Sequence, residues 1–228
     1  TGLISYAEML DQGRDICAAV RIPVIGDADT GYGNAVNVKR TLQGYARAGF
    51  ACAMIEDQQW PKRCGHTDGK QVVSRDEAFA RVRAAVDAQR EGADVLILAR
   101  TDARQTHGFD EALARVRGFE EIGADIVFLE APESVDEMRA FCQAARAPTL
   151  ANMIENGKTP LLAPAALEEL GFKIAAYPLT LLSSAVAAMQ ATLRDLSRGI
   201  PPRQLVPFTE LQELVGFANY DRERARYE

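Results

Sequence analysis

The 228 residues are 47% hydrophobic and 25% charged, enough apolar material for one soluble α/β domain with an ample core. A balance of 26 basic against 32 acidic side chains, net −6, with no Lys/Arg run able to track a phosphate backbone, argues against nucleic acid as a partner. No apolar stretch approaches the roughly 20 residues of a membrane span, and Thr1-Gly2-Leu3-Ile4-Ser5 lacks a basic segment followed by an apolar one, so no membrane attachment and a cytoplasmic location are expected.

In chain order, residues 5–19 carry Met9, Ile16 and Ala19 at helical spacing, and Ile22-Pro23-Val24-Ile25-Gly26 is a short strand that ends in Asp27-Ala28-Asp29-Thr30-Gly31-Tyr32-Gly33. A helix is expected over 36–48 and a buried strand over 50–55, Phe50-Ala51-Cys52-Ala53-Met54-Ile55. A polar loop, Glu56 to Lys70, crowds acids, bases, a thiol and an imidazole together. Ser74-Arg75-Asp76-Glu77 has the form of a capping box, with Phe79, Val82 and Val86 on one helical face. The strand at 94–99 ends at Arg100-Thr101-Asp102, and Leu113, Val116 and Phe119 mark the helix after it. The strand at 124–129 ends at Glu130, and Ser134-Val135-Asp136-Glu137 caps a helix burying Met138, Phe141 and Cys142. Pro148-Thr149-Leu150-Ala151 leads to Asn152, 172–177 is the last strand, and a long helix fills 179–198.

Strands alternating with helices in this way predict a parallel sheet. Polar residues gather after the strands: Asp27 and Asp29, Glu56, Arg100, Glu130, Asn152 and, most weakly, Tyr177. Chemistry aimed at one rim from successive strand ends is how a (β/α)₈ TIM barrel builds its site. Such a barrel needs eight strands, so the first one or two βα units are expected to lie upstream of Thr1. An open six-stranded doubly wound sheet is the competing fold. Residues 1–228 read as a single barrel domain. Beyond the break at Ile200-Pro201-Pro202, residues 203–228 form a helical tail that either packs on a neighbouring subunit or folds back on its own barrel.

Asp27, Asp29 and Glu56 supply hard oxygen ligands suited to Mg²⁺ or Mn²⁺, which keeps waters and takes one or two direct carboxylates. An isolated Asp-x-Asp more often caps a turn; three acids at neighbouring strand ends favour a metal. Cys64 lies beside Lys62, Arg63 and His66, and neighbouring cations suit a thiol to proton exchange. Cys17, Cys52 and Cys142 fit inert core positions, and all four cysteines are expected free. A zinc site fails for want of a second ligand pair, and Gly65 to Lys70 is too short for a phosphate loop. His107 is a bystander. Arg100, through its fork, and Asn152 are natural holders of a carboxylate, while Glu130 can pair with Arg100 or His66. Together these groups fit an enolate protonated at carbon.

In order and spacing, Asp27-Ala28-Asp29-Thr30-Gly31-Tyr32-Gly33, Ile55-Glu56-Asp57-Gln58, Lys62-Arg63-Cys64-Gly65-His66, Ala99-Arg100-Thr101-Asp102, Glu130-Ala131 and Leu150-Ala151-Asn152 resemble the isocitrate lyase and phosphoenolpyruvate mutase superfamily, over essentially the whole chain. The resemblance implies a (β/α)₈ barrel with C-terminal helices swapped between subunits of a homotetramer. It implies Asp27 on Mg²⁺, with Asp29 and Glu56 holding its waters, and Cys64 as the general acid. Lys62, Arg63, Gly65 and His66 would complete a gating loop, Arg100 and Asn152 would grip substrate, and Glu130 would orient the loop or His66. The implied reaction cleaves a 2-hydroxy di- or tricarboxylate, of the 2-methylisocitrate or 2,3-dimethylmalate type, to a 2-oxo acid and a second carboxylate. Phe128 stands where isocitrate lyases proper tend to carry Trp, which argues against isocitrate itself. The family's Ser-Gly strand and Gly-Leu-Pro-Asp segment would precede Thr1, and incompleteness of the chain is expected over an inactive remnant. A phosphorus–carbon mutase is the alternative enzyme, against which Cys64 speaks; a degenerate binding barrel is the non-enzyme alternative, against which Asp27, Glu56 and Cys64 speak.

Overall fold

Residues 2–228 are described in a computed structural model in which helices and strands alternate. The order is α1 (Tyr6–Ala19), β1 (Ile25–Asp27), α2 (Ala35–Ala48), β2 (Cys52–Glu56), α3 (Arg75–Arg90) and β3 (Leu96–Thr101). Then come α4 (Ala103–His107), α5 (Phe109–Ile122), β4 (Ile126–Leu129), α6 (Val135–Ala144), β5 (Leu150–Asn152), α7 (Pro164–Leu170) and β6 (Ile174–Ala176). The short helices α4 and α7 were not anticipated from the sequence. Among the described residues no helix is long and apolar enough to cross a membrane.

The strands begin about two residues later than their apolar runs indicate, and for β2, β3, β4 and β6 one device accounts for it. Gly49, Gly92, Gly123 and Gly171 all take positive φ at helix ends, and the next residue's N–H returns to the helix: Phe50 to Tyr45 O, Ala93 to Ala88 O, Ala124 to Phe119 O, Phe172 to Leu167 O. These 6→1 bonds close Schellman-type caps, so the first apolar residues belong to the turn. The strands after these helices slide downstream as a result, and Glu56 becomes the last residue of β2. At the helix starts, Ser74 and Ser134 accept from the N–H of Glu77 and Glu137. The carboxylates of those two glutamates turn to Arg81 (2.7 Å) and Arg104 (2.7 and 3.0 Å).

β1 to β4 form a parallel sheet in sequence order, with Asp27 opposite Met54, Glu56 opposite Arg100 and Thr101 opposite Leu129. β5 and β6 pair in parallel, and a parallel bridge between Val127 and Thr149 joins β4 to the β5 side. The order never reverses, as it must in a doubly wound sheet, so the open-sheet alternative is set aside and the wall is TIM-barrel-like. Alternate residues face opposite sides. Ala53, Ile55, Ile97, Ala99, Val127, Leu129 and Ala151 pack under the helices in the larger core, whereas Cys52, Leu98, Ile126, Phe128 and Leu150 form a second cluster on the concave side. Burial on both faces is what a parallel sheet requires.

The chain divides into two units, the first ending at Pro178 and the second running from Leu179 to Glu228. The second contains α8 (Thr180–Ser197), α9 (Phe208–Leu214) and α10 (Phe217–Arg224). Helix α8 leaves Leu181, Leu182, Met189, Leu193 and Leu196 exposed.

Candidate active site

Strand parity assembles the site. Glu56, Arg100, Glu130 and Asn152 are in step with Cys52, Leu98, Phe128 and Leu150, so they crown the concave cluster at the carboxyl ends of β2 to β5. The Arg100 guanidinium lies 5.3 Å from the centre of the Phe128 ring, a cation–π contact. Its Nε and Nη2 donate to Asp102 at 2.8 and 3.1 Å, and it stands 3.5 Å from both Glu56 Oε2 and Glu130 Oε1. Arg100 is therefore already gripped on one edge by Asp102, and only Nη1 is left without a hydrogen-bond acceptor among the described residues. Asn152 Nδ2 donates to both oxygens of Glu130, at 3.2 and 3.3 Å.

Asp27 and Asp29 lie at the end of β1 and just beyond it. Asp29 takes φ 53°, a left-handed backbone outside glycine's domain, and its N–H donates to Asp27 Oδ1 at 2.8 Å. The Glu56 N–H donates to Asp29 O at 3.0 Å, which fixes the two acidic segments side by side. Lys62 Nζ reaches down from the loop onto Asp29 Oδ1 and lies 3.4 Å from Asp27 Oδ2. Burial works to lower the Lys62 pKa, but Glu56, Asp27 and Asp29 outweigh it and raise it. Burial, then the neighbouring Asp27 charge, pushes Asp29 up.

Glu56 is 1% exposed, and neither of its carboxylate oxygens has a hydrogen-bond partner among the described residues. Burial pushes it up to about 8 against the pull of Arg100. A buried carboxylate with two idle acceptors is costly unless water or a cation meets it. This fits a hydrated divalent ion near Asp27 and Asp29, which would hold it with Glu56 gathering its waters. The described residues do not converge as a cage of three or more ligands, so the expected set of Asp27, Asp29 and Glu56 is not preformed.

The loop after β2 is tied down at several points. Gln58, fully buried, exchanges two 2.9 Å hydrogen bonds with the backbone of Arg63. The Arg63 guanidinium stays within its own loop, 3.5 Å from Asp68 O. Lys70, whose ammonium is wholly buried, donates to Gly65 O at 2.6 Å and Asp102 Oδ1 at 2.9 Å. Burial tends to raise the Asp102 pKa; Arg100 and Lys70 overcome this and hold it at about 2. Gly65 is seated so closely on the site that a Cβ there would lie 2.1 Å from Glu130 Oε1 and 2.6 Å from Arg100 Nη2. Cys64, beside it, is exposed, and all four cysteines are free thiols.

His66 Nδ1 accepts the Lys158 N–H at 2.9 Å, and Nε2 lies 3.3 Å from Glu130 Oε1. Burial lowers the His66 pKa, with Glu130 opposing, so the ring is neutral near pH 7. Its one proton then sits on Nε2, toward Glu130. Gly157 leaves room for the ring, since a Cβ there would lie 2.5 Å from Nδ1. Sequence reasoning assigned no role to Asp57, Lys70, Asp102 or Lys158. Parity could have found Asp57: it follows Glu56 and so points to the helix side. There it accepts from Thr101 Oγ1 (2.6 Å), Asp102 N (2.8 Å) and Arg115 Nη1 (3.0 Å).

Comparison with known proteins agrees with this architecture. The family model described as phosphoenolpyruvate phosphomutase matches residues 1–197. The chain is 45% identical over 219 residues to 2,3-dimethylmalate lyase of Eubacterium barkeri, covering 94% of this chain and 75% of that protein. It is 41% identical over 228 residues to a 2-methylisocitrate lyase of Aeropyrum pernix, covering 98% and 73%. A crystal structure of a 2,3-dimethylmalate lyase, described as a PEP mutase/isocitrate lyase superfamily member, superposes with a TM-score of 0.92 at 40% identity, covering 99% of this chain and 77% of that one. With its strand-end acids, Arg100 and the Cys64 loop in the order expected of that group, the chain belongs to the phosphoenolpyruvate phosphomutase family, within the PEP mutase/isocitrate lyase superfamily.

Proposed function

We propose that the protein is a carbon–carbon lyase that cleaves a 2-hydroxy di- or tricarboxylate of the 2-methylisocitrate or 2,3-dimethylmalate type into a 2-oxo acid, such as pyruvate, and a second carboxylate. The observation that carries this reading is Gly65, seated on Glu130 and Arg100, which holds the adjoining Cys64 at the rim of an anion-binding site. The 2-hydroxyl loses its proton to water, the C2–O bond becomes a carbonyl as the C–C bond electrons pass to the departing carboxylate's α-carbon, and the Cys64 thiol gives that carbon a proton, its thiolate regaining one from solvent after product release. Arg100 Nη1 and the Asn152 amide bind substrate oxygens, while Glu130 orients His66 and Asn152. Lys62, Arg63 and His66 belong to the loop that shields the reacting carbon from water.

Asp27, Asp29 and Glu56 would hold Mg²⁺, with Mn²⁺ an acceptable substitute; when bound, such an ion supplies positive charge to the oxygens of the 2-oxo acid. The barrel is completed by one or two βα units outside this sequence, and residues 1–228 form one barrel domain with 203–228 as its tail. The exposed apolar face of α8 supports exchange of C-terminal helices within a homotetramer, and a cytoplasmic location is part of the same reading. A phosphorus–carbon mutase is the second reading, favoured by the name of the matching family and by a phosphorylmutase among the similar proteins.

The test is release of 2-oxo acid from 2-methylisocitrate and 2,3-dimethylmalate in the presence of Mg²⁺, with Cys64→Ser alongside. Turnover of one of them, abolished by the substitution, supports the lyase. Conversion of phosphonopyruvate that is indifferent to Cys64→Ser, with neither malate derivative cleaved, overturns it in favour of the mutase.

A further inference from the structure

Lys62 is in an unusual place for a lysine of a catalytic loop. Its ammonium is not directed at the anion-binding side of the site, where Arg100 and Asn152 lie, but into the two aspartates, touching Asp29 Oδ1 and lying 3.4 Å from Asp27 Oδ2. Its side chain is only 17% exposed and that of Asp29 10%, so the pair is drawn largely out of water and is weakly screened. Glu56, buried and with no hydrogen bond on either carboxylate oxygen, is tied through its N–H to Asp29 O in the same cluster. A divalent cation and this ammonium cannot share the Asp29 carboxylate without strong repulsion at close range.

We infer that Lys62 is a built-in counter-ion that occupies the metal's place between Asp27 and Asp29, and that metal binding expels it. This rests on reading Asp27 and Asp29 as the metal-side carboxylates. Two consequences follow from the geometry. Lys62 weakens metal affinity, because the ion must displace an existing pair. The expelled ammonium, on its flexible four-carbon stem, becomes available to an anionic substrate only after the metal is in place, so that metal binds first and substrate second. Without metal, the same lysine keeps the buried Asp29 and the half-exposed Asp27 compensated.

The experiment is titration of the purified protein with Mn²⁺, following free Mn²⁺ by its EPR signal, for the unsubstituted chain, Lys62→Met and Lys62→Arg. In parallel, acetylation of Lys62 by a water-soluble amine-reactive ester is mapped by mass spectrometry with and without saturating Mn²⁺. The expected result is about tenfold tighter Mn²⁺ binding in Lys62→Met, near-unchanged binding in Lys62→Arg, and faster acetylation of Lys62 once Mn²⁺ is present while Lys39 and Lys173 stay constant. Mn²⁺ binding that is equal or weaker in Lys62→Met, or acetylation of Lys62 indifferent to Mn²⁺, overturns the counter-ion role and leaves the metal assignment standing. No Mn²⁺ binding to any of the three proteins overturns both together.

Discussion

Replacing Asp57 by alanine tests whether the site is held from behind, on the helix side of the sheet. Asp57 is 1% exposed and its carboxylate accepts from the Thr101 hydroxyl, the Asp102 N–H and Arg115 Nη1. Burial and the nearby Asp102 charge raise the Asp57 pKa, against hydrogen bonds and Arg115, so the ion pair by itself adds little. The loss comes from what the alanine leaves behind. Arg115 keeps Glu111 at 2.9 Å and Val73 O at 3.0 Å, but the Asp102 N–H and the Thr101 hydroxyl become buried donors with no acceptor. At about 1–3 kcal/mol for each stranded donor, plus part of the Arg115 charge, the expected destabilisation is about 3–5 kcal/mol. For a chain of this size that lowers Tm by roughly 10 °C or more. Urea unfolding followed by circular dichroism measures it, with Asp57→Asn as the companion that keeps an acceptor and loses less. A change below about 1 kcal/mol in Asp57→Ala would refute the reasoning, since it would mean that neither donor depends on this carboxylate.

Gly65→Ala places a methyl group 2.1 Å from Glu130 Oε1, and Glu130 is held by Asn152, so the loop must give way by about 1 Å; a displacement of that size costs on the order of 10²-fold in turnover, with Tm little changed, as steady-state kinetics beside a melting curve will show. Cys64 is the exposed thiol, whereas Cys52 is buried and pushed up to about 12 chiefly by burial; iodoacetamide should modify Cys64 first by peptide mapping, and Cys52 only on unfolding. His66 should make stability fall on acidification: its folded pKa lies below the ordinary 6.5, so the unfolded chain binds the extra proton first as pH drops through about 6.5. The loss grows from there down to the folded pKa and is then constant. Stability of the unsubstituted protein minus that of His66→Asn, measured between pH 8 and pH 5, should decline in that window, and a flat difference would contradict a buried neutral imidazole.

The amino-acid order alone carries the alternation of strands and helices, and with it the parity that puts Glu56, Arg100, Glu130 and Asn152 on one side. Both follow from local periodicity, two residues per repeat in a strand and glycine at the ends of α2, α3, α5 and α7, which no distant contact has to supply. The aspartates after β1, the acid after β2 and the Lys-Arg-Cys-Gly-His loop are legible for the same reason, as polar residues stranded at the ends of apolar runs. What the sequence could not reveal is which charges meet. Arg100 reads as an open fork, yet the structure gives one of its edges to Asp102; Lys62 reads as a loop cation, yet it rests on Asp27 and Asp29. Asp57 finds Arg115 on α5, and His66 accepts its hydrogen bond from Lys158 beyond β5. These partners are many residues apart, and electrostatic pairing depends on distance and burial in space. Only the curvature of the sheet and the path of the loops over it bring the charges within reach, so the tertiary structure alone decides which acids and bases neutralise one another and which, like Glu56, are left waiting for an outside partner.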